Sequence, residues 1–150
     1  MVSEIMENEQ VIASIQQSLV AQKKNLSSLW QTLQNELEAI NTRDGDKLES
    51  TAKEKLIILE EISKIDKKLS DFSLNKFKKI LPNIDDDIKN INEQLTNCKQ
   101  QNDINTHAAH QTQVAVKKVT EILLGSIKSI TYDKKGLSQS GNLLGKSIKA

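Results

Sequence analysis

The chain has 150 residues, of which 3% are aromatic and 27% charged, with one proline, one cysteine and a formal net charge of +1. That charge balance carries no global signal for nucleic acid or for a membrane surface, and a lone cysteine excludes an intramolecular disulfide. Few aromatic side chains amid Leu, Ile, Lys, Gln, Asn and Glu favour long helices around a thin aliphatic seam over a sheet or a wide core.

The first helix is expected over residues 4–41. Ile5, Ile12, Leu19, Leu26, Leu33 and Ile40 recur every seven residues. Ile15 and Leu29 fill two of the intermediate positions, and Asn8, Gln22 and Glu36 occupy the others. Seven-residue spacing keeps one stripe turned toward a partner helix, along a rod of roughly 55 Å. The stretch "NTRDGDK" (41–47) interrupts the pattern with turn-forming residues. Asp46 followed by Glu49 resembles a capping box that would start a second helix. Leu48, Ala52, Leu56, Leu59, Ile62, Ile65 and Leu69 give that helix its expected stripe. So short a connection predicts an antiparallel hairpin over 4–72.

Residues 69–83 hold both phenylalanines and the single proline. They read as a loosened helix end or a short helix, followed by a break before Pro82. Asn83 is a good N-cap for a third helix, with Asp85, Asp86 and Asp87 in its first turn, where carboxylates favour the positive end of the dipole. Ile84, Ile88, Ile91, Leu95, Cys98, Asn102, Asn105, Ala109, Thr112, Val116, Val119 and Leu123 then alternate three and four apart. Gly125 is the expected stop. The predicted fold is all-α: an antiparallel, coiled-coil-like bundle of three long helices. Residues 1–125 form its body, with the third helix over 84–125, and residues 126–150 form a flexible basic tail.

No constellation for catalysis emerges, and an enzyme is not expected. His107 and His110 share a face but lack the third ligand or Glu-x-x-His motif of a helical metal site. Cys98 sits on the apolar stripe and reads as a small core residue. The terminal Gly-Lys-Ser lacks the first glycine and preceding strand of a phosphate loop. Neither a cofactor nor a metal is expected. The acidic start "MVSEIMENEQ" is unlike a signal peptide, and no window approaches the ~20 apolar residues of a membrane span. With the unpaired cysteine, this suggests a cytoplasmic protein without membrane insertion.

Asn102 and Asn105 interrupt the apolar stripe. Polar residues there fix helix register at some cost in stability, or else mark a seam that is only partly closed. Past them, "VAVKKVTEILLGSI" (114–127) is apolar on more than one face. Such a surface suits a partner helix or burial in self-association. The tail carries five lysines against Asp133 and the only tyrosine, Tyr132. Flanked by Ile130, Lys134 and Lys135, this tyrosine is a small amphipathic anchor of the kind favoured at interfaces.

Four stretches together resemble the FlgN-type flagellar export chaperones over nearly the whole length. "SLWQTLQNELEAINTRDGDKLESTAKEKLIILEEI" is similar to that family's first hairpin, and "NDIN" (102–105) to the paired asparagines of its last helix. "TYDKKG" (131–136) resembles its tyrosine–glycine element, and "GKSIKA" its basic end. The resemblance implies binding to the C-terminal helical segments of the hook–filament junction proteins FlgK and FlgL, which prevents their premature assembly. It also implies delivery to the type III export gate, where the tyrosine element docks on the cytoplasmic domain of FlhA. Carried over to this chain, the cargo surface is Val116, Val119, Ile122 and Leu123, and the gate-docking residues are Ile130, Tyr132 and Gly136. The competing expectations are a self-associating structural coiled coil and an adaptor of another secretion system.

Overall fold

A computed structural model describes residues 2–134, with side chains described as far as Gly125. Three helices follow one another: α1 (Val2–Thr42), α2 (Gly45–Ser70) and α3 (Ile84–Lys134), with a single 3-10 turn (Leu74–Phe77) between the last two. The chain divides into two compact units, Met1–Thr106 and His107–Ala150.

In the first unit the α1 heptad forms the seam. Ile15, Leu19, Leu26, Leu29, Leu33 and Ile40 are buried, as is the polar Gln22. Gln22 Nε2 donates to the Ile62 carbonyl (3.2 Å), and Lys55 Nζ pairs with Glu36 (3.3 Å), so α2 runs antiparallel to α1. Cys98 Sγ donates to the Leu26 carbonyl (3.6 Å), and Asn105 Nδ2 donates to the Leu33 carbonyl (2.8 Å). Both of these pairs are 72 residues apart in sequence, so residues 84–106 of α3 run parallel to α1 and in step with its heptads. The topology is up-down-up.

Two apolar clusters hold the seam. At one end Ile15, Leu19, Phe77 and Ile84 pack together, with Leu69, Phe72, Leu74 and Leu81 around them. The connector thus closes that end with both phenylalanines. Further along, Leu26, Leu29, Leu33 and Cys98 pack with Ile58, Ile62 and Leu95. Burying each of the large side chains contributes about 1.5–3 kcal/mol.

The turn after α1 forms a Schellman motif: the Arg43 N–H donates to the Ile40 carbonyl (3.2 Å), and the Asp44 N–H to the Ala39 carbonyl (3.0 Å). The left-handed position is taken by Arg43 (φ 54°). Asp44 also caps α2, its side chain accepting from the Lys47 N–H (3.1 Å). The expected capping box at Asp46 is therefore corrected: Asp46 already lies in the first turn of α2, because Asp44 performs both tasks. At the start of α3 the Asn83 carbonyl accepts from the Asp87 N–H (2.9 Å), and Asp85, Asp86 and Asp87 fill the first turn.

Two further expectations change. The inward face of α2 is Thr51, Lys55, Ile58, Ile62, Ile65 and Leu69, all buried or half-buried, whereas Leu48, Ala52, Leu56 and Leu59 are exposed. Polar side chains occupy the first half of this seam, so following apolar residues alone leads to the wrong side of the helix. The third helix does not stop at Gly125 but continues to Lys134. One glycine costs a helix interior only about 1 kcal/mol, too little to end it between Leu124 and Ile127.

Candidate partner-binding face

The polar pair at the seam resolves first. Asn105 is buried (1% exposed). Its side-chain amide donates to the Leu33 carbonyl and to Glu36 Oε1 (2.9 Å), and its oxygen accepts from Gln101 Nε2 (2.9 Å). Asn102 Oδ1 accepts from Lys55 Nζ (2.6 Å), and the same ammonium reaches both oxygens of Glu36 (3.3 and 3.4 Å). Two residues from α1 (Leu33 and Glu36), one from α2 and three from α3 thus form a connected cluster. Each polar group gains partners that offset its desolvation. Of the two readings of these asparagines, the closed, register-fixing one describes the structure. Lys55 was the partner missed from sequence. Its place between Thr51 and Ile58, at seam spacing, was the available signal.

Cys98 is likewise enclosed. Desolvation by burial pushes its thiol above the ordinary value, opposite to what a nucleophile or metal ligand requires. His107 and His110 are exposed, and among the described residues no group of three His, Cys, Asp or Glu side chains is placed to hold a metal ion. No described helix is long and apolar enough to cross a membrane.

In the second unit the stripe keeps its three-four spacing but is open. Val116, Val119 and Leu123 are 48%, 55% and 58% exposed. Val114 and Leu124 are also exposed, on other sides of the helix, and Ile122 is half-buried. Positions i, i+3 and i+7 lie one above another on a helix, so Val116, Val119 and Leu123 form one apolar line, with Lys117, Lys118 and Glu121 on the far side of the helix. Such a line is chemically fit to receive the apolar face of another helix. Of the tyrosine element, Ile130 and Tyr132 fall in the last two turns of α3, and Gly136 lies outside the described residues. The expectation of a tyrosine beyond the last helix changes accordingly.

Comparison with curated proteins and with solved structures finds no significant match. The family model of the FlgN protein matches residues 6–140. That span takes in the α1–α2 hairpin, the connector, the polar cluster and the exposed stripe. The chain belongs to the FlgN family of flagellar export chaperones.

Proposed function

We propose that this chaperone binds the C-terminal helical segments of the hook–filament junction proteins FlgK and FlgL in the cytoplasm. It prevents their premature assembly and delivers them to the export gate protein FlhA. The observation that carries the reading is the exposed line Val116, Val119 and Leu123, which continues the spacing of the buried seam. Ile122 contributes at its edge. A cargo helix laid on this line removes its aliphatic side chains from water, a driving force of about 25 cal/mol per Å² of apolar surface. The same surface of the cargo is then withheld from other cargo molecules. The mechanism is reversible burial, with no bond made or broken. Family membership favours this reading over a purely structural coiled coil and over an adaptor of another secretion system.

Docking at the gate belongs to Ile130 and Tyr132, at the end of α3, and to Gly136, all within residues 126–150. A tyrosine offers apolar area, a hydroxyl and few rotors to immobilise. Cargo and gate are read by different residues, so the two bindings separate by mutation. In a co-purification assay, the double variant Val119→Asp/Leu123→Asp loses FlgK and FlgL segments and keeps FlhA. Tyr132→Ala does the reverse. If Tyr132→Ala leaves gate binding intact, the docking assignment is wrong; if the double aspartate variant still captures cargo, the cargo face is wrong.

A further inference from the structure

The outer face of α2 takes no part in the three-helix seam, and its charge order is self-complementary. At ~100° per residue, Asp46, Glu49, Lys53, Leu56, Ile57, Glu60, Lys64 and Lys67 fall on the side opposite Thr51, Ile58, Ile62 and Leu69. All eight are exposed, Leu56 and Ile57 by 61% and 62%. Read from a point midway between Leu56 and Ile57, acid faces base at every charged step. Lys53 and Glu60 are equidistant from that point, as are Glu49 and Lys64, and Asp46 and Lys67.

A helix with this order pairs with a copy of itself running the other way. A two-fold axis through the midpoint sets Lys53 against the copy's Glu60, Glu49 against its Lys64 and Asp46 against its Lys67, and then repeats all three by symmetry. Leu56 and Ile57 from both copies meet at the centre, with Leu59 and Ala52 at their flank. This is an isologous contact, in which one patch recognises itself. Parallel pairing brings Lys53 to Lys53 and Glu60 to Glu60, so the charges also select the antiparallel orientation. Within one chain, Lys53 reaches Glu49 (3.4 Å) and Lys64 reaches Glu61 (3.4 Å). These solvent-exposed intrahelical pairs are weak and exchange readily for contacts across an interface.

We propose that the outer face of α2 is an antiparallel homodimer interface, with a second copy of this chain as its occupant and Leu56 and Ile57 on the two-fold axis. The patch lies within the first unit, so the proposal stands apart from the cargo reading.

The test is sedimentation equilibrium of the full chain at low and high salt, up to about 1 mM. Four forms are compared: wild type, Lys53→Glu, Glu60→Lys and the double reversal. These positions are exposed, and helicity by circular dichroism confirms that each variant is folded. Wild type is expected to dimerise, more weakly in high salt. Each single reversal sets like charges opposite one another twice and is expected to raise the dimer Kd about tenfold or more. The double reversal restores every opposite-charge pair and is expected to return Kd to within about threefold of wild type. A chain that stays monomeric throughout overturns the proposal. So does a dimer that ignores the single reversals, or one that the double reversal fails to restore.

Discussion

Asn105 donates its side-chain amide to the backbone carbonyl of Leu33 (2.8 Å), one heptad beyond the contact of Cys98 with Leu26. This bond ties the register of α3 to that of α1 at a point where an apolar residue would allow sliding. Its second donor reaches Glu36 Oε1 (2.9 Å), so the asparagine also helps keep a half-buried carboxylate solvated by protein groups. Asn105→Ala removes both bonds and opens a cavity. We expect a loss of about 2–3 kcal/mol in unfolding free energy, read by urea denaturation. A loss below about 0.5 kcal/mol would show that the cluster does not hold the helices together.

The turn between α1 and α2 makes a prediction opposite to a first reading of "RDG". The left-handed residue is Arg43, while Gly45 sits at the start of α2 with open space where a Cβ would stand. Arg43→Gly relieves a left-handed conformation and is expected to stabilise by about 1 kcal/mol. Gly45→Ala restricts the unfolded chain and improves helix propensity, and is expected to stabilise by about 0.5–1 kcal/mol. Thermal denaturation of the two variants checks both signs; destabilisation by Arg43→Gly would contradict the assignment of the turn.

Burial raises the Cys98 thiol above its ordinary value of 9.0. As pH rises through 9, the unfolded chain therefore loses this proton before the folded one. Stability from the protonated, buried thiol is fully present below that pH and declines above it. Compared with Cys98→Ala, the wild-type advantage in unfolding free energy should shrink steadily above pH 9. The same burial predicts slow reaction with a thiol reagent in the native state and fast reaction in denaturant.

Val119 and Leu123 are more than half exposed, so polar replacements there remove little packing. Val119→Ser and Leu123→Ser are each expected to shift stability by less than about 0.5 kcal/mol while weakening cargo capture. A large stability loss would mean that the stripe is occupied within the free protein.

Much of the fold was legible in particular residues. The α1 heptad is apolar at most seam positions, so Ile15, Leu19, Leu26, Leu29, Leu33 and Ile40 could be placed inside from spacing, although the same spacing also chose Ile5, which is exposed near the start of the helix. The α3 stripe, polar at Asn102 and Asn105, was legible because its spacing never broke. On α2 apolar residues occur on both sides, and Thr51 and Lys55, at seam spacing with Ile58, hold the inside of its first half, which a search for apolar residues alone passes over. Gly125 carried too weak a penalty to mark the end of α3. At the site, the apolar line Val116–Val119–Leu123 could be read from spacing.

The central claim is that the open stripe of α3 receives cargo helices, and titration calorimetry of the full chain with the C-terminal helical segments of FlgK and FlgL tests it most directly. The account predicts saturable binding at one segment per chain, with a negative heat-capacity change from apolar burial, abolished by Val119→Asp/Leu123→Asp. No heat of binding with either segment, or binding unchanged in the double variant, would contradict it.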